Sequence, residues 1–365
     1  MAEAAMTLLE ERVADVLGRR FCLLVGSGTT ALYVAFLGLD LGPGRRVLYP
    51  DMVCETAVNA AVFAGIEPCF CDVDSATLGL DPADAAGRAA GMGAVVPVHL
   101  FGQLVDIPLL ERLLGSSGIP VVEDAAQAYG GSLGSLEAGR LGRLAVVSFG
   151  PNKLLDCGGG GALLTDEPGL HQACAGHARQ LSADPAAQQA ARAAFMREMF
   201  AQGKSGLAGA AAAEGRCRAL REHRSGYVYA LPSQAAERIA QRLGEFPAVA
   251  ARRKAFVASL RQALAGVPGL AVIPAHEGAA AWRFSLLVEG RNRDRLFDNL
   301  LKRGIGVSRL FEPMHRKFNG EDGQFPNASG LSERIVNISL DMPGAAPGRL
   351  AEQVAAVVHE TVGRS

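Results

Sequence analysis

The chain lacks the features that would tie it to a membrane, a nucleic acid or an oxidising compartment. Its 36 Lys and Arg are matched by 37 Asp and Glu, for a formal net charge of −1. Without a basic stripe there is no electrostatic footprint for nucleic acid, and without a block of like charge there is no solvated tail. No segment stays apolar for the roughly 20 residues that a bilayer span requires. The opening MAEAAMTLLEERVADVLG interleaves acidic and basic residues on an amphipathic helical pattern. It has neither the cationic start nor the long apolar stretch of a secretion signal. Cysteines are odd in number, seven, and scattered. That fits reduced thiols in a cytoplasmic protein and excludes a regular disulfide framework. Cys69 and Cys71 are not read as a metal pair, and no metal site is expected. What the chain does have is bulk: 365 residues, 49% apolar, are enough for two domains or one large α/β unit.

Short apolar runs at 46–49, 68–72, 94–98, 120–123, 145–149 and 162–164 alternate with helical patterns near 29–39, 54–64, 104–114 and 125–129. This rhythm predicts an α/β fold with a mostly parallel central sheet flanked by helices. Ligands then belong beyond the carboxyl ends of the strands. Residues 169–223 break the rhythm, being rich in Ala, Arg and Gln and helical in propensity, with 207–215 read as a loop or frayed helix end. One long helix is expected from Ser233 to about Ala265. Strands near 270–273 and 282–288, a helix at 293–303 and a final helix at 347–361 complete a smaller C-terminal α+β domain. The expected division is 1–235, a large domain with its atypical 169–223 region, and 236–365.

Three motifs carry chemistry. Residues 26–32, GSGTTAL, place small residues at a helix start, where free N–H groups and the helix dipole favour an anion. Gly28 and Thr29 are therefore candidate phosphate ligands, with simple helix capping as the alternative. Asp124 ends the run PVVE, and a buried carboxylate there needs a partner, either a cationic ligand group or the next helix start. Gln127 follows three residues later, as a ligand contact or a capping residue. Lys153 lies five residues after Ser148, between an apolar run and four consecutive glycines, which points to a tight passage near a ligand. Ser148 could donate its hydroxyl to a phosphate, whereas Arg140 and Arg143 are assigned to a solvated loop. A lysine amine and an aspartate at the ends of neighbouring strands suit pyridoxal phosphate, with the lysine on the aldehyde and the carboxylate on the pyridine nitrogen.

With PVHLFGQLVD at 97–106, VEDAAQAYG at 122–130, SFGPNK at 148–153 and weaker matches at 226–236, 282–288 and 303–315, the chain resembles the DegT/DnrJ/EryC1/StrS family of sugar aminotransferases. The resemblance spans nearly the whole chain and implies the aspartate-aminotransferase (type I) fold. It implies Lys153 as Schiff-base lysine and proton carrier, Asp124 on the ring nitrogen and Gln127 on the ring oxygen. Gly28, Thr29 and Ser148 would hold the phosphate, and Cys54 falls where many members stack an aromatic side chain on the ring. The implied reaction moves an amino group from glutamate or glutamine, by way of pyridoxamine phosphate, to a nucleotide-linked keto sugar. Arg283, Arg309 and His315 are candidate cations for the substrates' anionic groups, with structural pairing as the alternative for each, and Tyr227 is counted with them. A homodimer with sites between subunits is implied as well.

The chain departs from the family pattern in three places. The family's Gly-Tyr-Asn-Tyr-Arg motif reads Gly226-Tyr227-Val228-Tyr229-Ala230, so Val228 offers no hydrogen bond where an asparagine reaches the neighbour's phosphate. The N-terminal segment that helps line the sugar site is largely missing, and 169–223 is unlike the common pattern. These departures keep open an acceptor without a nucleotide, such as a cyclitol or free keto sugar, and a non-catalytic ligand-binding relative. The family's dehydratases replace the lysine with histidine, and Lys153 argues against that activity.

Overall fold

The structure is a computed structural model that describes residues 3–204, 209–273, 278–290, 292–318, 320–340 and 347–362. Helix α1 (Glu3–Leu17) buries Leu9, Val13 and Leu17 and leads into β1 (Phe21–Val25). Then come α2 (Gly28–Gly38), β2 (Arg46–Pro50), α3 (Glu55–Phe63), β3 (Glu67–Cys71), α4 (Pro82–Arg88), β4 (Ala94–Val95), α5 (Ile107–Leu114) and β5 (Val122–Asp124). A small hairpin of β6 (Ser132–Leu133) and β7 (Leu136–Glu137) precedes β8 (Leu144–Ser148) and β9 (Gly161–Thr165). Helices α6 (Pro168–Ala178), α7 (Pro185–Lys204) and α8 (Gly209–Glu222) follow.

Strands β1-β9-β8-β5 form one sheet and β3-β2-β4 another. Parallel bridges Val95–Val121 and Val98–Asp124 join β4 to β5, giving one continuous surface. Strand β9 is antiparallel to both β1 and β8, whereas β5–β8, β2–β3 and β2–β4 are parallel. Every residue of β8 and β9 is buried, as expected where helices cover both faces of a sheet.

The chain continues through α9 (Ser233–Arg242), α10 (Phe246–Ala263), β10 (Leu270–Val272), β11 (Arg283–Val288), α11 (Asn292–Lys302), β12 (Val307–Ser308), α12 (Pro326–Ser332), β13 (Ile335–Ser339) and α13 (Pro347–Val362). Strands in the order β10-β11-β13-β12 make an antiparallel sheet. Its apolar face packs with α10, α11 and α13 into a second core that includes Leu260, Phe284, Leu286, Leu296, Val336 and Val354. The first core gathers the sheet of β1 to β9 and its covering helices.

Two expectations need correction. Residues 125–129 form a turn, because Asp124 and Gln127 spend their side chains on nearby backbone N–H groups. The single helix expected from Ser233 is two, broken by a 3₁₀ turn at Leu243–Glu245. Pro247 can start α10 there but could not continue α9 without losing a helix hydrogen bond. Residues 207–215, expected as a loop or frayed helix end, are helical from Gly209, and 207–208 lie outside the described residues.

Candidate active site

Asp124 stands at the carboxyl end of β5, 5% exposed. One carboxylate oxygen accepts from the Ala126 N–H at 2.9 Å. Burial pushes its pKa up, opposed by that amide and by the charge of Lys153. Its neighbour Glu123 points the other way into a saturated nest. It accepts from the N–H groups of Gly139 (2.6 Å), Leu141 (2.8 Å) and Gly142 (3.0 Å) and from His99 Nε2 (2.8 Å). Burial works against the Glu123 charge, but these donors outweigh it and its pKa lies below the ordinary value. His99 Nδ1 accepts from Val105 N at 3.0 Å, which leaves the ring proton on Nε2 for Glu123. Two adjacent carboxylates are thus set apart: Glu123 anchors the loop after β4, and Asp124 faces the site.

That loop reaches across to Gln127, whose Oε1 accepts from Phe101 N at 2.9 Å. The Gln127 amide NH₂ is thereby fixed as the outward donor. Phe101 also stacks on Trp282 (6.1 Å between centroids, planes 6° apart) and on Phe311 (5.7 Å). The Trp282 indole N–H donates to the Asn152 carbonyl at 2.6 Å, pinning the residue before Lys153, which has φ +62°. Lys153 Nζ lies 5.0 Å from the Trp282 ring centroid. Burial lowers the Lys153 pKa; Cys54 and Asp124 pull it back up, and Arg283 lowers it further. Trp282, Phe101, Glu123 and His99 were not singled out from the sequence. A buried polar pair and an aromatic stack leave no spacing signature when their members lie far apart in the chain.

The N-terminus of α2 approaches the end of β8. Ser27 caps the helix, its Oγ accepting from Thr30 N at 3.0 Å. A Cβ on Gly28 would meet Ser148 Cβ at 3.1 Å, and one on Gly161 would fall 2.3 Å from the Ser27 carbonyl carbon. These two glycines let the helix start, Ser148 and the strand after Lys153 converge. Thr29 sits beside them. Segment 226–230 runs over the same helix start: Gly26 N donates to Tyr229 O (3.0 Å) and Thr30 Oγ1 to Tyr227 O (3.2 Å). Tyr227 stacks on Phe63 at 5.7 Å and so lies at this helix start. Val228, 6% exposed, packs with Val62, Phe63, Phe195 and Leu220 of the same chain, an apolar role that an asparagine would fill poorly.

Cys54 is the residue before α3, with Sγ 3.1 Å from Thr56 Oγ1. Arg283 lies 4.6 Å from the Trp282 ring and faces a cavity of about 380 Å³ shared with Phe101, Gln103, Phe246, Lys254 and Arg261. The other two candidate cations are spent elsewhere. Arg309 donates to Asp294 at 2.7 Å on the outer surface of α11 and covers Phe297. His315, 1% exposed, has Nδ1 at 2.6 Å from Asp51 and Nε2 at 2.8 Å from Asp322. These contacts match the structural pairing given as the alternative for Arg309 and His315. Arg140 and Arg143 form surface pairs with Glu137 and Glu167.

Residues 4–359 match the DegT/DnrJ/EryC1/StrS aminotransferase family. The chain belongs to this family. It is 35% identical over 167 residues to a Pseudomonas aeruginosa protein described as UDP-2-acetamido-2-deoxy-3-oxo-D-glucuronate aminotransferase, covering 45% of this chain and 46% of that one. The match thus spans under half the length of that curated relative. Among solved structures, the aminotransferase TlmJ from Streptoalloteichus hindustanus is 24% identical with a TM-score of 0.79, over 99% of this chain and 91% of its own. DesI, solved in the presence of its TDP-sugar product, is 22% identical with a TM-score of 0.79, over 100% and 86%. These two likenesses show the fold, the type I α/β architecture of this aminotransferase family. Among the described residues no helix is long and apolar enough to cross a membrane.

Proposed function

We propose that the protein is a pyridoxal-phosphate-dependent aminotransferase that moves the amino group of glutamate or glutamine to a nucleotide-linked keto sugar. One observation carries the reading. Asp124 ends β5 and Lys153 lies in the turn that follows the adjacent β8, and each charge acts on the other while burial disfavours both. A buried carboxylate with a raised pKa suits a pyridine nitrogen, whose proton gives it the cationic partner it lacks. The close Gly28–Ser148 approach, where an added Cβ would come within 3.1 Å of Ser148 Cβ, suits a phosphate held at the α2 N-terminus.

When bound, the cofactor supplies an electron sink for charge at the donor's α-carbon and carries the amino group between substrates. The chain supplies the remainder. Gly28, Thr29 and Ser148 would hold the phosphate. Asp124 would keep the ring nitrogen protonated, and the Gln127 NH₂ would donate to the ring oxygen. Cys54 would give a smaller, polarizable contact in place of an aromatic one. Lys153 Nζ, its pKa lowered by burial and Arg283, would carry the proton from the donor's α-carbon to C4′ of the cofactor. Trp282 and Phe101 would keep water from that amine. The cavity beside Arg283, with Lys254 and Arg261 in its wall and Gln103 Oε1 buried without a partner among the described residues, suits an acceptor with apolar and anionic parts. The name of the Pseudomonas relative, a keto-sugar aminotransferase, supports the acceptor class. The reading includes a homodimer, by analogy with the fold, and a cytoplasmic location, supported by seven cysteines none of which is bridged.

The test is a single-turnover reaction of the loaded protein with L-glutamate. Loss of the lysine-bound cofactor's visible band with stoichiometric release of 2-oxoglutarate is expected, followed by its return on addition of a nucleotide-linked keto sugar. A band indifferent to glutamate and glutamine alike would overturn the transaminase reading.

A further inference from the structure

The segment between β12 and β13 is fastened to the ends of β2 and β3. Met314 N donates to Asp51 O at 2.8 Å and His315 N to Asp51 Oδ1 at 2.7 Å. Asn327 N and Ala328 N donate to the Asp72 carboxylate at 3.0 and 2.9 Å. Asp51 is fully buried and follows β2 directly, in the stretch that leads into Cys54 and α3. The His315 ring stands in a row between two carboxylates. Its Nδ1 is 2.6 Å from Asp51 Oδ2 and its Nε2 is 2.8 Å from Asp322 Oδ1. Phe325 stacks on the ring at 4.8 Å.

An ionised carboxylate only accepts hydrogen bonds, so a ring between two of them needs two protons in the row. With one proton fewer, a ring nitrogen turns its lone pair on a carboxylate oxygen and one contact is lost. The surrounding charges fix which proton leaves. Arg316 donates to both Asp322 oxygens, at 2.8 and 3.1 Å, and lies 4.0 Å from Glu333; Ser329 Oγ is 3.2 Å from Asp322 Oδ1. Arg316, and His315 after it, hold the Asp322 carboxyl well below the usual range, so that end stays charged. At the other end burial pushes the Asp51 carboxyl up, against the bonds from His315. Asp72 also acts on Asp51, and it is itself held by the N–H groups of Val73, Asn327 and Ala328. Arg88 covers Phe325 at 5.0 Å and pairs with Asp84. Lys317 and Arg216 are bound by Glu55 outside the row. Arginines keep their protons throughout. The proton shared by His315 and Asp51 is therefore the one given up as pH rises.

We propose that the Asp51–His315–Asp322 row is a pH-sensitive clasp, closed while it holds two protons and opened by the loss of one. Closure is strongest at low pH and weakens as pH rises. Opening releases the segment between β12 and β13 from Asp51 and removes the brace on the chain entering Cys54 and α3. The clasp stands independently of the reaction proposed above.

The experiment is amide hydrogen exchange of the full-length apoprotein, read by peptide mass spectrometry between about pH 6 and pH 9. Each rate is divided by that of the unfolded chain at the same pH. An opening that releases one proton grows by up to about tenfold per pH unit. Protection of peptides covering Met314–Phe325 and Asp51–Glu55 should fall by that factor, while β8 and β9 keep theirs. The comparison is Asp322→Asn, with circular dichroism confirming its fold. An asparagine amide can donate or accept, so a neutral ring satisfies both ends of the row. Protection of the same peptides in Asp322→Asn should be independent of pH, whatever its level. A purely structural role would instead lower protection equally at every pH and keep the wild-type slope. A flat wild-type profile, or an equally steep one in Asp322→Asn, overturns the clasp. The wild-type slope alone decides if the variant does not fold.

Discussion

Replacing Asp124 by asparagine should move stability and activity in opposite directions. Asp124 is 5% exposed and accepts one hydrogen bond, from Ala126 N, which an asparagine oxygen can keep. Burial raises the Asp124 pKa, so the folded apoprotein holds this proton to higher pH than the unfolded chain does. The stability it contributes is full below the unfolded value of about 3.9 and is lost as pH rises through the raised folded value. Near pH 8 the apoprotein therefore carries a charge that burial penalises, at about 1.4 kcal/mol for every tenfold fall in the carboxyl group's acidity. The asparagine side chain removes that penalty. Apo Asp124→Asn should be at least as stable as wild type at pH 8, with the difference vanishing towards pH 4. The loaded enzyme behaves in the opposite way. Removing the carboxylate leaves the ring nitrogen without its counter-charge, and breaking such a buried pair costs about 3–5 kcal/mol. At about 1.4 kcal/mol per tenfold, the glutamate half-reaction should slow by roughly 10² to 10⁴. Calorimetry of the apoproteins across pH and stopped-flow absorbance with L-glutamate measure the two effects. A half-reaction within about threefold of wild type, or an apo variant several kcal/mol less stable at pH 8, would refute the assignment of Asp124.

Three further outcomes follow from the same geometry. Trp282 is the one tryptophan of the chain and its ring lies 5.0 Å from Lys153 Nζ, so cofactor capture at Lys153 should quench its emission in wild type and far less in Lys153→Ala, as read by fluorescence titration. His315→Ala should cost about 3–5 kcal/mol in urea unfolding, because Asp51 is left buried without its ring partner, while the glutamate concentration for half-maximal rate stays unchanged. Because burial lowers the Lys153 pKa, the rate of cofactor uptake should rise with pH and reach half its maximum below the ordinary lysine value of about 10.4, checked by the pH profile of the visible band.

Local signals in the sequence located what is local in the structure. The apolar runs after 46, 68, 145 and 162 are strands, and the Gly-rich start of α2 and the glycines after Lys153 mark a real close approach. Asp124 and Lys153 stood out in the sequence because each follows an apolar run; in the structure Asp124 ends β5 and Lys153 lies in the turn after β8. The antiparallel sense of β9 was not legible, since a fully buried strand reads the same in either direction. The pairing of Arg309 and His315 was hidden for a related reason. Their partners Asp294 and Asp51 lie 15 and 264 positions away, and sequence spacing cannot tell a paired cation from an open one. The same blindness hid Trp282, whose bond to the Asn152 carbonyl crosses 130 positions.

The most direct test of the central claim is to load the protein with pyridoxal phosphate, fix the adduct with borohydride and map it by peptide mass spectrometry. The account predicts one reduced adduct per chain, on Lys153, and none in Lys153→Ala. An adduct on another lysine of the wild type, or none at all, would contradict it.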